Sequence, residues 1–460
     1  MIPEFSKNET KRIKKNPSKI VMHVKSWPRW VSDLDWRVLL LILPPLSLLI
    51  FLCLSSVSTT AAPFNRFHSF GPIKSFFNNR TTHQSASPIS SPYAAKNMNE
   101  SEKSQWLRER KDELDRSRIA VCLVGGARRF ELSGPSIVQK ILKVYPNSDL
   151  FLHSPLDSNS FKFSLLKIAP RIASVRIFNP EHIPETESQF RVLTALNSPN
   201  GIQGLLQYFN LVEGCLTMIK AYQKQNNFTY DWVVRTRVDG YWSAPLSPDN
   251  FVPGHYLVPP GSSYGGLNDR FGIGDLNVSN VALSRLSLIP QLESAGFHQL
   301  NSERAFKAQL TTQTVPYITK RLPFCIITDR KYDFPPSQYG VPVAALSSPG
   351  PLSGAKCRPC TPACSGPCVA NVMFRLDRGW SWTNWSNGTL QLCDAHTEWE
   401  NGWEKVFDGV AGKKLAATRK RVRALKLEQC IDDFNVMRGR TYGWEAPEPA
   451  EICRLGLGSR

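Results

Sequence analysis

From Arg118 onward the chain alternates short, wholly apolar runs with stretches of helical spacing. In RIAVCLVGGARRF the apolar run ends in two glycines, which predicts a buried strand entering a loop. SGPSIVQKILKVYP follows with helical periodicity and Ser133 placed to cap it; SDLFLHSP reads as a strand, FSLLKIAP as helical and ASVRIFNP as a strand again. LLQYFNLVEGCLTMIKAYQKQ predicts a longer helix with Leu206, Phe209, Leu216 and Ile219 on one face, and it feeds the strand YDWVVRTRVDGYW. Such alternation predicts an α/β fold with a parallel-rich sheet. No internal repeat interrupts it.

The chain before this point has a different texture. Val38 to Val57 is 20 residues without a charge, and a helix of that length matches the roughly 30 Å hydrocarbon core of a bilayer. A cleaved signal peptide ending near Ala61 and Ala62 is the other reading, but its basic leader would be unusually long. Nine Lys and Arg residues lie within 1–37, and the next basic residue after the span is Arg66, so the positive-inside rule keeps the N-terminus cytosolic. The expectation is a single-pass type II membrane protein: a basic tail (1–37), a transmembrane helix (38–57) and a Ser/Thr/Pro-rich stem (58–117) ending in a short solvated helix. The net charge of +18 then points to no nucleic-acid partner, because the body faces the lumen.

Two further patterns suit a lumenal body. Asn-x-Ser/Thr sequons stand at Asn79, Asn99, Asn227, Asn277, Asn384 and Asn387. Outside the span the cysteines number ten, an even count in an oxidising compartment. Cys357, Cys360, Cys364 and Cys368 are spaced closely enough to hold zinc, yet disulfides are the expectation in the lumen, with a connectivity the spacing does not give. These cysteines open a Pro-, Gly- and Trp-rich segment (341–460), read as an elaboration of the α/β region at 118–340. Within it, Lys413 to Lys426 carries seven basic residues and no acid, a solvated helix face or a surface for an acidic glycan.

The sharpest chemical signal is the strand ending at Asp239. An apolar strand closing on an acid places the carboxylate at the C-terminal edge of a sheet, where open α/β folds bind ligands. Arg235 and Arg237 share one face of that strand, suited either to phosphate or to an ion-pair network. Asp269, in a loop beside an apolar FGIG turn, and Glu303, at the start of ERAFKAQL, are candidates for a catalytic base; each could equally cap or pair locally. Asp394 and His396 form a D-x-H that could contribute to a metal site with Asp239.

The Arg118–Arg129 segment, the YDWVVRTRVD strand and YGGLNDRFGIG (264–274) together resemble glycosyltransferase-like proteins with an R-x-R-x-D motif, among them an uncharacterised family of plant type II membrane proteins. The resemblance runs from about residue 110 to the end. It implies a GT-A-like (Rossmann-like) mixed sheet flanked by helices, a nucleotide-sugar donor and a glycan acceptor, for which the basic segment offers a surface if the glycan is acidic. By the same resemblance Gly125, Gly126, Arg128, Arg129 and Asp239 would face the donor, with Mn²⁺ or Mg²⁺ at Asp239, and Arg235 and Arg237 would join them if their shared face meets phosphate. The motif has no D-x-D, which leaves metal dependence open. The architecture suggests a Golgi membrane enzyme; a catalytically silent glycan-binding or scaffolding protein is the alternative.

Overall fold

The computed structural model describes residues 99–458, apart from 197, 199, 334–340 and 377–388. The expected span and the sequons at Asn79, Asn384 and Asn387 lie outside the described residues, and among the described residues no helix is long and apolar enough to cross a membrane.

Twelve strands are described. They are β1 Ile119–Val124, β2 Ser148–Pro155, β3 Ile172–Phe178, β4 Trp232–Arg237, β5 Gly240–Trp242, β6 Tyr256–Val258, β7 Phe271–Asp275, β8 Tyr317–Thr319, β9 Phe324–Ile327, β10 Ala344–Ala345, β11 Ala355–Arg358 and β12 Thr441–Glu445. The main sheet runs β12-β3-β2-β1-β4-β7-β6-β8, parallel from β12 to β4, with β7 antiparallel to both β4 and β6. Strand β1 is flanked by β2 on one side and β4 on the other, so the chain reverses its direction of travel across the sheet between them. The carboxyl ends of β1 and β4 therefore open a crevice of the kind in which α/β sheets take ligands.

Burial explains why these strands read as continuous apolar runs. Ile119, Val121 and Leu123 of β1 face a core shared with Phe130, Phe161, Phe434 and Ile452. Ala120, Cys122 and Val124 face the opposite core, with Val212, Leu216, Ile219 and Phe306. Helices thus cover both faces, as parallel sheets require. The long helix Gly201–Asn226 is tied to β1 by the Cys122–Cys215 disulfide.

A second sheet, β10-β11-β9-β5, takes up the chain after a two-residue link, Val238 and Asp239, beyond the end of β4. It is held by Cys325–Cys357, while Cys360–Cys393 and Cys364–Cys368 cross-link the following loops and Cys430–Cys453 joins the last two helices. All four cysteines of the cluster are oxidised, and the zinc alternative falls away because no free thiolate remains among them. The C-terminal segment also completes the main sheet, since β12 pairs with β3.

Three local expectations are corrected. Ser133 caps nothing: the helix starts at Phe130, and the buried Ser133 hydroxyl donates to the Val238 carbonyl at 2.5 Å. The FGIG segment is strand β7 rather than a turn; a Cβ on Gly272 or Gly274 would collide with Tyr256 or Val278, so these glycines admit neighbours instead of bending the chain. The helix Glu100–Arg116 is not wholly solvated, because Leu114 is buried in the core and Arg110 donates to the Phe251 carbonyl at 2.8 Å.

Candidate functional site at the edge of the two sheets

Asp239 sits where the chain leaves the main sheet and enters the second. Its backbone carbonyl accepts from Ile327 at 2.9 Å, and the preceding Val238 amide donates to the Val124 carbonyl at 3.0 Å, which fixes the crossing against both β9 and β1. The carboxylate is 3% exposed and is gripped by the Arg237 fork, Nε to Oδ1 at 2.8 Å and Nη2 to Oδ2 at 2.7 Å. Burial by itself would raise the Asp239 pKa. The charge and hydrogen bonds of Arg237, with the charges of Lys356 and Arg128 behind them, override it and hold the carboxyl well below the usual carboxylate range.

The two arginines of β4 share a face, as the alternation requires, but do different work. Arg235 is 1% exposed; its guanidinium donates to the Tyr208 hydroxyl at 3.1 Å and to the Asp269 carbonyl. It fastens the loop after β6 to the long helix, and every contact it makes lies inside the protein. Arg237, one turn of the pleat nearer the edge, is a quarter exposed.

Asp269 is buried and neutralised. Ser302 donates to its Oδ2 at 2.6 Å and Arg285 stands 3.6 Å away; burial opposes ionisation, but Arg285 and Arg235 keep the pKa below its ordinary value. Its partner is Arg285, not the adjacent Arg270. Glu303 behaves in the opposite way. Half-buried on the first turn of the helix Ser302–Thr312, it has its pKa pushed up to about 8, first by burial and then by the negative charge of Asp269. Of the two carboxyls, Glu303 is the one able to exchange a proton near neutral pH.

Two cations complete the edge and were not singled out by the sequence. Arg270 is buried, donating to the Ser262 hydroxyl at 2.9 Å and the Gly354 carbonyl at 2.6 Å. Lys356 lies on β11 in register with Ile326 of β9, which in turn faces Gly240 of β5; it therefore shares the face of Ile326 that joins the main sheet's core. Lys356 has no hydrogen bond or ion pair among the described residues. Burial and the charges of Arg270 and Arg237 depress its pKa well below the ordinary lysine value, against the pull of Asp239. Alternation singles it out only once the bounds of β11 are known, since Lys356 lies between the buried Ala355 and Cys357.

The loop after β1 lies beside this edge. Gly125 has φ of 117°, a conformation that favours glycine, and its amide donates to the His153 carbonyl at 3.2 Å. Gly126 follows against Asp157. Arg128 is exposed, whereas Arg129 stacks on Trp399 at 4.3 Å and stands 3.7 Å from Asp329. Arg129 thereby pins the C-terminal segment onto the first loop.

The residues present do not fit a divalent cation. Both Asp239 oxygens are held by Arg237, and His396 is surface-exposed, 3.2 Å from Asp394. Among the described residues no group of three or more His, Cys, Asp or Glu side chains is gathered as a metal would need. As the side chains stand, Asp239 is paired with Arg237 and His396 lies beside Asp394. The sequons at Asn99, Asn227 and Asn277 are exposed, each at a helix end.

Fold and site define a mixed α/β domain with a parallel-rich, helix-flanked sheet, cross-linked by disulfides and carrying a charged cluster at its switch point. The chain belongs to the family described as Domain of unknown function (DUF7796), whose profile matches residues 114–459. No curated protein matches it. Among solved structures it is similar to mouse xyloside xylosyltransferase 1 in its apo form, with 14% identity, 45% of this chain and 85% of that chain covered, and a TM-score of 0.29.

Proposed function

We infer that this chain is a glycosyltransferase that binds a nucleotide-sugar donor at the edge shared by β1, β4 and β11 and passes the sugar to a glycan acceptor. The carrying observation is a charge imbalance: Arg237, Lys356 and Arg128 act on one buried carboxylate, which is already matched by Arg237, while Arg270 bears on Lys356 from the other side. Crowded, half-desolvated cations are costly unless an anion joins them, and a donor diphosphate is such an anion. In a single in-line displacement Glu303 takes the proton of the acceptor hydroxyl. The acceptor oxygen then bonds to the sugar's anomeric carbon as the bond to the diphosphate oxygen breaks, its electron pair leaving with the diphosphate. Lys356 and Arg270 stabilise the charge that develops there. Residence in the Golgi membrane, with the N-terminal span as anchor and the body in the lumen, belongs to the same reading and rests on the charge asymmetry around residues 38–57.

The test is thermal shift of the full-length chain with nucleotide sugars, with and without Mn²⁺, alongside release of free nucleotide. A rise in melting temperature that is lost in Lys356→Met supports the reading. No shift with any donor, or no nucleotide release, overturns it. The second reading, a silent glycan-binding protein, is favoured by the complete engagement of Asp239 with Arg237; glycan binding without nucleotide affinity would select it.

A further inference from the structure

A cleft of about 470 Å³ lies between the loop after β1 and the helical segment Trp403–Arg423. That segment is a hairpin. Gly412 takes φ of 81°, and Arg423 meets Glu404 at 3.1 Å although a straight helix would hold residues 19 apart at about 28 Å. The reversal brings Trp403 and Glu404 from one arm beside Arg419 and Arg423 from the other, facing Arg128, Arg129 and Lys162 across the cleft. The volume falls within the roughly 300–1,000 Å³ usual for small-ligand sites.

The charges do not cancel. Lys162 meets Glu131 at 2.8 Å, Arg423 meets Glu404, and Arg419 is held by Asp408 at 2.9 and 3.0 Å while lying 5.7 Å from the Trp403 ring. Arg129 is shared loosely between Asp329 at 3.7 Å and Glu131 at 3.9 Å. Arg128 has no ion pair and no hydrogen bond from its guanidinium among the described residues, and its charge reaches Asp239. The cleft thus presents a spare cation beside the Trp403 indole, and Arg128 is its electrostatic link to Asp239 at the edge assigned to transfer.

We propose that this cleft binds an acidic sugar unit of a glycan, Trp403 stacking on the ring and Arg128 pairing with its acid group. The proposal deepens the transferase reading by naming the acceptor class. A neutral sugar would leave Arg128 uncompensated, and a bare phosphate would not use the indole. A pyranose with a carboxylate or sulfate uses both: its C–H face packs on the aromatic ring and its anion forms a charge-assisted pair with the guanidinium.

The experiment measures binding of four probes to the full-length chain: an oligogalacturonide, its carboxyl-reduced neutral counterpart, a sulfated oligosaccharide, and UDP. The oligogalacturonide or the sulfated chain should bind at least tenfold more tightly than the neutral one, and the better of the two identifies the acid group. Arg128→Gln should weaken that ligand about tenfold, the size of one lost charged hydrogen bond, and leave the neutral probe and the melting temperature unchanged. Trp403→Phe should retain more affinity than Trp403→Ala, which separates stacking from folding. Equal binding of charged and neutral chains, insensitivity to Arg128→Gln, or competition by UDP for this cleft would overturn the proposal. Failure of the transferase reading looks different: acidic glycan binds, Arg128→Gln weakens it, and no nucleotide sugar binds at all.

Discussion

The parallel half of the main sheet and the second sheet differ in strand length and in how densely disulfides cross-link them. Strands β1 to β4 are six to eight residues long, buried on both faces and covered by helices, so area removed from water holds them. Strand β10 has two residues and β11 four; they share a smaller core with Tyr241, Ile327, Leu346, Leu392 and Phe407, and Cys325–Cys357 and Cys360–Cys393 cross-link it. The candidate site draws from both. Its fixed carboxylate comes from the end of β4, and its lysine, without an ion pair among the described residues, comes from β11. Loss of a disulfide should therefore have different consequences in the two regions.

The largest expected effects test that contrast directly. In the chain-entropy account, replacing Cys122 and Cys215 by alanine, 93 residues apart, costs about 5 kcal/mol, and replacing Cys325 and Cys357, 32 apart, costs about 4 kcal/mol. Denaturant unfolding should show losses of similar size. Nucleotide-sugar binding by the protein still folded should fall only in the second variant, because β11 carries Lys356. Equal loss of binding in both would mean that the site does not depend on the second sheet.

Next in size is the boundary itself. Arg237→Ala removes one partner of a buried pair and should destabilise the fold by about 3–5 kcal/mol at neutral pH. The sign with pH follows from the depressed Asp239 pKa: stability from the pair is present above the unfolded carboxyl's pKa and is lost as pH falls toward the folded value. The gap between wild type and variant should narrow in acid; a gap constant with pH would mean that packing, not charge, is what Arg237 contributes.

This contrast also decides what could be read from the chain. The runs from Ile119 and Trp232 announced buried strands, and the charges interrupting the second located Arg237 and Asp239 at the sheet edge. Arg235 could not be told from Arg237, since alternation gives a face but not a depth along the strand. The β9 to β11 region gave only cysteines, because short strands carry too little periodicity to be seen, and Lys356 was hidden with them. The basic stretch from Lys413 to Lys426 looked acid-free in sequence, yet Arg419, Arg421 and Arg423 find Asp408, Asp433 and Glu404 in space.

A smaller effect concerns Glu303. A carboxyl whose folded pKa is raised to about 8 holds its proton longer in the native state, so stability should fall as pH rises from the unfolded value near 4.5 to about 8. Glu303→Gln should flatten that slope by on the order of 2 kcal/mol, discounted because the side chain is partly open to solvent. If Glu303 is the base, transfer by the wild type rises through the same interval and the glutamine variant loses transfer while keeping donor affinity. A stability slope unchanged in Glu303→Gln would assign the titration to another group.

The smallest expected effect falls on His396, and its smallness is the point. The ring is about half exposed and stands 3.2 Å from Asp394, itself on the surface, so little burial depends on it. His396→Ala should change stability by no more than about 0.5 kcal/mol, as exposed substitutions usually do. The informative comparison is donor binding with and without Mn²⁺. If cations of the protein balance the donor at the sheet edge, the variant should bind a nucleotide sugar as the wild type does under both conditions. Should Mn²⁺ strengthen wild-type binding and His396→Ala abolish that gain, the histidine would have to leave its surface partner and reach the donor. The grip of Arg237 on Asp239 would then describe only the resting arrangement of the edge, and the division between a packed, fixed half and a cross-linked half supplying the charge would no longer hold.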